Sequence, residues 1–220
     1  MNFYYITVAT QSHPILHNIV NRIEQKEENI YILGLHEKRP IGWNAKGNFG
    51  VKLKEVRNFI FKEELKEQDI VLFTDAYDVI YTGSLLETAN RYLKMNSPIV
   101  FGCETTCNPD PEKALEYKKR DVQFPYLNSG MFIGSVKALR ECMKEYQYND
   151  NDDDQRFWTT QFFNRPDMIT LDYENTIFLN TYGINIEDIC WNRQQCIYNN
   201  KNPMFVHVNG PDKSDLQRFL

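Results

Sequence analysis

Ile70-Val71-Leu72-Phe73-Thr74-Asp75-Ala76-Tyr77-Asp78 is the stretch whose reading decides the fold. An apolar, largely β-branched run stops abruptly at two carboxylates. Such a run reads as a strand buried on both faces, as in a parallel sheet. Asp75 and Asp78 then stand where the strand gives way to a loop, and open α/β sheets bind ligands outside the carboxyl ends of their strands. Two carboxylates spaced D-x-x-D at such an edge repel unless a cation lies between them. Hard oxygen ligands suit Mn²⁺ or Mg²⁺, ions that also bind substrate phosphates. The implied guest is a metal–diphosphate, with a sugar nucleotide as its carrier. The competing explanation is that one Asp caps the next turn and the other points into solvent.

The surrounding pattern supports a parallel sheet. Residues 3–9 read as a first strand, and Ile15, Ile19 and Ile23 line one face of a helix after it. Residues 30–35 read as a second strand, so the chain opens β-α-β. A polar loop over 37–50 contains Trp43, which either stacks on a base or sugar or anchors on the sheet edge. A helix is predicted over 51–66 with Lys52 in its first turn, near N–H groups that favour anions. Ser84 is the expected cap of a helix running to about residue 96. Residues 98–103 read as a strand that leaves Glu104 at its carboxyl end, and 110–124 as a charged lid or acceptor-facing loop.

In residues 125–134, Asn128-Ser129-Gly130 interrupts an apolar run. A bulge or tight bend there would let a ligand approach Gly130 closely and let Asn128 and Ser129 bond sugar hydroxyls. Helices are predicted over 136–146 and 155–164, and short strands over 169–172 and 177–179. Asp150 to Asp154 would cap the second of these helices, while Asp153 and Asp154 are also candidates for a site role. Residues 193–200 are ambiguous. His207, leaving a late strand, is a natural third metal ligand, and Lys213 a neutraliser of diphosphate charge.

Composition sets the outer bounds. The 220 residues carry a net charge of −5, 42% hydrophobic and 14% aromatic residues. A single globular domain over 1–220 is therefore expected, and no basic stripe suggests a nucleic-acid partner. The five cysteines form no C-x-x-C pair and read as free thiols rather than a disulfide or zinc half-site. No run reaches the length of a membrane span, and the N-terminus has no basic and apolar leader. That pattern means the cytoplasm if the chain is complete, or a secretory lumen if it is an excised domain. Nothing in the sequence fixes an oligomeric state.

Taken in order, Val8-Ala9-Thr10, Leu72 to Ile80, Glu104 with Cys107, Leu127 to Gly130, Asp152 to Gln155 and His207 to Lys213 resemble the glycosyltransferase domain of the procollagen lysyl hydroxylases. The resemblance runs nearly end to end. It implies a GT-A-like, Rossmann-type α/β fold with a mixed, mostly parallel sheet flanked by helices. It further implies Mn²⁺-dependent transfer of glucose from UDP-glucose to galactosyl-hydroxylysine of collagen or a collagen-like acceptor, with retention. By carry-over, Asp75, Asp78 and His207 hold the metal. Val8, Ala9, Thr10, Tyr77, Asn209, Gly210 and Lys213 contact UDP, with Tyr77 stacked on uracil, and Trp43 and Lys52 fall near positions facing the nucleotide. Asp153 and Asp154 match an acidic run beside the donor sugar, and Glu104 a carboxylate facing the acceptor. Asn108 stands where the family pattern has Trp, and Asn151 interrupts the acidic run. The chain is too short to include the family's hydroxylase domain, and no His-x-Asp with a later His is present. The expectation is a glycosyltransferase alone. Its rivals are a transferase of the same fold with another donor or acceptor, such as galactose to hydroxylysine, and a silent sugar-binding domain.

Overall fold

The computed structural model describes residues 1–42 and 47–220. Strand β1 (Phe3–Val8), helix α1 (Pro14–Glu24) and strand β2 (Tyr31–Leu33) form the opening β-α-β unit, with β2 parallel to β1. Helix α2 (Gly50–Ile60) leads to β3 (Ile70–Asp75), which pairs parallel to β1 along its whole length. Then come β4 (Val79–Tyr81), α3 (Leu85–Lys94, capped by Ser84), β5 (Ile99–Glu104), β6 (Tyr126–Ser135) and α4 (Val136–Met143). Helix α5 (Asp154–Asn164), β7 (Ile169–Leu171), β8 (Phe178–Asn180), the hairpin β9 (Cys190–Trp191) and β10 (Cys196–Ile197), β11 (Phe205–His207) and α6 (Leu216–Phe219) complete the chain.

The main sheet has the order β2-β1-β3-β6-β5-β7. Only β6 runs against the others, pairing antiparallel with both β3 and β5. The sheet is thus mixed and mostly parallel, as expected. A second sheet, β4-β11-β8, stands beside it. Its strands are three residues each and nearly all buried.

Aromatic packing orients the site. Phe73, Phe132 and Phe101 lie in register across three adjacent strands, with centroids 4.9 and 5.0 Å apart. Trp158 of α5 packs on Phe101 and Phe132 at 5.1 and 5.2 Å. Each such contact adds roughly 0.5–1.5 kcal/mol beyond area burial. Because Asp154 lies four residues before Trp158, it shares that helix face. Anchoring Trp158 in the core therefore turns Asp154 toward the sheet edge.

Two helices are shorter than predicted, for a common reason. Helix α2 stops at Ile60 rather than residue 66 because Arg140 donates to the carbonyls of Ile60, Lys62 and Leu65. The Ile60 carbonyl is orphaned when the helix ends, and the same guanidinium that satisfies it also holds the turn that follows. Helix α4 ends at Met143 rather than 146, and Arg57 donates to the Met143 carbonyl. In both cases favourable helix propensity yields to tertiary capping. The ambiguous stretch 193–200 contributes β10 to the small hairpin, and the segment read as a lid holds a 3₁₀ turn over Pro111–Leu115. All five cysteines are free thiols. Among the described residues, no helix is long and apolar enough to cross a membrane.

Candidate active site

Asp75 ends β3, and Asp78 follows one turn later, immediately before β4. Strand β11 pairs antiparallel with β4 so that His207 lies opposite Val79, and the Val208 N–H donates to the Asp78 carbonyl at 2.9 Å. This register carries His207 across more than a hundred residues of sequence to the carboxylates. Its Nε2 lies 3.2 Å from Asp78 Oδ2 and 3.9 Å from Asp75 Oδ2. The three side chains form a group whose ligand atoms all lie within 4.8 Å of one another.

The imidazole is oriented from behind. On the parallel neighbour β8, Asn180 lies opposite His207, and its Oδ1 is 2.8 Å from His207 Nδ1. The Asn180 amide donates from Nδ2 to the Cys103 carbonyl at 2.9 Å, which fixes Oδ1 as the acceptor. Nδ1 therefore carries a hydrogen, and Nε2 is turned toward the carboxylates. A lone pair and a carboxylate oxygen at 3.2 Å require a proton or a cation between them. The donor set of one imidazole and two carboxylates fits a divalent metal such as Mn²⁺ or Mg²⁺.

Gly130 makes this arrangement sterically accessible. A Cβ there would lie 2.4 Å from His207 Cε1 and 3.0 Å from Asp75 Oδ2. The register between β5 and β6 shifts beside Phe101 and Gly102, so β6 bulges over residues 129–131. Of the bulge or tight bend that the sequence suggests, the structure has the bulge, and the His207 ring packs directly against Gly130.

Two lysines neutralise the carboxylates. Lys52 is buried, with Nζ 2.9 Å from Asp75 Oδ1 and 2.7 Å from Asp154 Oδ2. Burial works against its charge, but Asp154 and Asp75 outweigh that and raise its pKa. Asp154 Oδ2 also accepts from Ser129 Oγ at 2.8 Å. Burial pushes the Asp154 pKa up; Lys52 opposes this and the Asp75 charge adds to it. Lys213 Nζ lies 2.7 Å from Asp78 Oδ2 and donates to the Val208 carbonyl at 2.7 Å. Burial raises the Asp78 pKa, but His207 and then Lys213 overcome it and hold the group well below the usual carboxylate range.

Glu104, at the end of β5, is buried, and burial pushes its pKa up to about 7 against an opposing Asn128 hydrogen bond. Asn209 Nδ2 donates to its Oε2 at 2.9 Å, while Asn209 Oδ1 accepts from the Tyr182 N–H. Gln155 donates to Glu104 Oε1 at 3.5 Å and to the Leu127 carbonyl, and accepts from the Ser129 N–H at 2.6 Å. Asn209 and Gln155 thus form a rigid polar frame around Glu104. Asn128 Oδ1 also accepts from the Gly130 N–H, which stabilises the bulge.

The residues assigned to the nucleotide side are placed unevenly. The side chains of Val8 and Ala9 are buried, so only their backbone atoms can meet a ligand. Thr10 is buried too; its N–H and that of Gln11 donate to the Tyr77 hydroxyl at 2.8 and 3.2 Å and fix the ring. Gly210 has φ of +86°, and a Cβ there would lie 2.4 Å from Cδ2 of the Tyr182 ring. Trp43 lies outside the described residues. Asp153 and Asp154, treated alike in the sequence, differ here. Asp153 accepts from the Arg156 N–H at 3.0 Å and caps α5, whereas Asp154 joins Lys52 and Ser129. Asn180 was not anticipated: one Asn after Phe178-Leu179 carries no signal until the sheet register is known.

Structures and sequences of known proteins agree with this architecture. The fold superposes on a glycosyltransferase involved in glycosylation of the major capsid of PBCV-1, with TM-score 0.60, 12% identity, and 99% of this chain and 98% of that one covered. Mouse xyloside xylosyltransferase 1 gives a TM-score of 0.52 at 10% identity, covering 95% and 98%. At these identities the likeness is one of fold, the GT-A type. The chain is 30% identical over 230 residues to a Caenorhabditis elegans multifunctional procollagen lysine hydroxylase and glycosyltransferase, covering 96% of this chain and 31% of that protein. It is also 30% identical over 222 residues to the human multifunctional procollagen lysine hydroxylase and glycosyltransferase LH3, covering 96% and 30%. An uncharacterized protein, R699, of Acanthamoeba polyphaga mimivirus is 33% identical over 187 residues, covering 80% and 40%. The chain therefore spans about a third of the length of the procollagen relatives. A family model described as the PLOD GT domain matches residues 1–220, and the chain belongs to that family of glycosyltransferase domains.

Proposed function

We propose that the chain is a metal-dependent, retaining hexosyltransferase that moves glucose from UDP-glucose to galactosyl-hydroxylysine of collagen or a collagen-like protein. One observation carries the metal-dependent part. His207 Nε2, freed by the Asn180 hydrogen bond, converges with Asp78 and Asp75 at 3.2 and 3.9 Å. A purely sugar-binding domain needs no such convergence. Choice of donor and acceptor draws its support from family membership and from the likeness to the procollagen hydroxylase–glycosyltransferases.

In this reading Asp75, Asp78 and His207 hold Mn²⁺ or Mg²⁺. When bound, the ion supplies Lewis-acid stabilisation of the charge that develops on the diphosphate leaving group. Lys213, already beside Asp78, adds a second positive charge to the phosphates. Tyr77, its hydroxyl fixed by two backbone N–H groups, offers its ring to uracil. Asp154 orients donor-sugar hydroxyls. Its charge is already shared with Lys52 and Ser129, which makes it a poor nucleophile and favours entry of the acceptor on the face that UDP leaves. Glu104 stands at the acceptor side. Residues 1–220 act as one glycosyltransferase unit.

The test is Mn²⁺-dependent release of UDP from a panel of UDP-sugars, with and without galactosyl-hydroxylysine and hydroxylysine peptides. UDP-glucose with the galactosylated peptide is expected to give the fastest turnover, and Asp75→Asn to abolish both turnover and Mn²⁺-dependent UDP binding. Preference for UDP-galactose and the bare peptide would replace this donor and acceptor. Full turnover by Asp75→Asn would remove the metal site.

A further inference from the structure

A second group of metal-ligating side chains lies outside the site just described. His36 and Glu37 belong to the 3₁₀ turn that follows β2, the edge strand of the main sheet. Glu55 faces them from α2, nearly one turn beyond Lys52. His36 Nε2 lies 3.7 Å from Glu37 Oε1 and 3.6 Å from Glu55 Oε1, and the three ligand atoms all lie within 4.8 Å of one another. A tetrahedral Zn²⁺ with bonds of 2.0–2.2 Å sets its ligand atoms about 3.3–3.6 Å apart, close to the two His36 separations, so the main adjustment is to draw the two carboxylates together.

The independent observation is Glu55 itself. Its side chain is only 8% exposed, and its Oε1 is enclosed without a hydrogen-bond partner. His36 Nε2 and Lys54 Nζ both stop 3.6 Å away, beyond hydrogen-bond reach. An enclosed carboxylate oxygen without a donor costs several kcal/mol on general grounds. The nearby cations are already engaged: Lys54 bonds Glu37 Oε1 and lies 5.0 Å above the Tyr148 ring, and Arg39 donates to Glu37 Oε2 at 2.9 Å, so neither bonds Glu55 Oε1. Access is open, because His36 is 69% exposed and both His36 and Glu55 line a cleft of about 300 Å³ with Gly34, Asn58, Phe59 and Lys62.

We propose that His36, Glu37 and Glu55 form a second divalent-cation site of the Zn²⁺ class, separate from the Asp75, Asp78 and His207 group. One imidazole and two carboxylates, with a fourth position open to water, suit this borderline ion. Binding would satisfy Glu55 Oε1 and take over the Glu37 Oε1 contact, leaving Lys54 on the Tyr148 ring that it already covers. It would tie the end of the edge strand to α2, the helix that carries Lys52 into the active site.

Calorimetric titration of ZnCl₂ into the metal-stripped full chain tests this, in a Cys190→Ser background that removes the exposed thiol. Two equivalents are expected, one at each group. His36→Ala and Glu55→Gln should each weaken one equivalent by at least about tenfold, as even loss of an outer-shell partner does. Asp78→Asn should weaken the other equivalent and spare this one. Lys54→Met should tighten the second site by about fivefold, because it removes a competing charge. His36 is exposed and Glu55→Gln is isosteric, so both variants should keep the wild-type fold by circular dichroism. A wild-type titration in both His36→Ala and Glu55→Gln would overturn the site. So would Zn²⁺ binding confined to the Asp75, Asp78 and His207 group, or a Lys54→Met variant that binds no more tightly.

Discussion

Replacing Lys52 with Met should turn the active site from self-neutralised to cation-dependent. Lys52 is buried between Asp75 and Asp154 at 2.9 and 2.7 Å. Removing one partner of a buried ion pair costs about 3–5 kcal/mol, because the remaining charge stays buried without compensation. At ~2.1 cal/mol/K per residue, a 220-residue chain has a melting entropy of ~0.46 kcal/mol/K. The expected fall in Tm at pH 7 is therefore about 7–11 °C by calorimetry. Two controls identify the origin of the loss. Mn²⁺ should restore more Tm to Lys52→Met than to the wild type, since it supplies the missing charge. Lowering the pH should also narrow the gap, because the Asp154 pKa is already raised by burial and rises further without Lys52. A Tm loss under about 2 °C that responds to neither Mn²⁺ nor pH would refute the buried-bridge reasoning.

Other expectations follow from single contacts. Glu104 has a folded-state pKa of about 7 against an ordinary 4.5. A raised carboxyl contributes most below its unfolded pKa and loses that contribution as pH rises through the folded value. Glu104→Gln should therefore flatten the stability profile between about pH 4.5 and 7 by roughly 3 kcal/mol, read from urea midpoints at several pH values. Asn180→Ala should lower Mn²⁺ affinity about 10–100-fold, measured by electron paramagnetic resonance of free Mn²⁺. Gly130→Ala places a methyl 2.4 Å from His207 Cε1, so Mn²⁺ binding should be lost while far-ultraviolet circular dichroism stays native.

Much of this molecule is legible in its sequence because its strongest signals are local. The β-α-β opening and the Ile70 to Thr74 run specify parallel strands by composition alone, and the D-x-x-D spacing marks their carboxyl edge. His207 could be nominated from its place after a short apolar run. Its partner Asn180 could not, because that contact depends on the pairing of β8 with β11. The same limit applies to α2, where helix-forming residues continue past Ile60 but Arg140, eighty positions later, takes the terminal carbonyl. Asp153 and Asp154 are chemically identical and adjacent, so only the rotation of α5, set by Trp158 in the core, separates the one that caps the helix from the one that pairs with Lys52 and Ser129.

The single reversed strand has an architectural consequence. Because β6 enters the sheet from the edge where β3 ends in Asp75, the stretch joining it to β5 lies at that same edge, while its outgoing turn into α4 lies at the far end. Residues 105–125 are nevertheless pinned at a few points: Tyr117 packs on Phe162 and accepts from the Leu127 N–H, Arg156 of α5 donates to Asp110, and Phe124 is buried in the core. Between those anchors, Leu115, Lys118, Lys119 and Asp121 are exposed, so variation at this edge of the sheet is confined to short spans of surface and leaves the strands beneath unmoved.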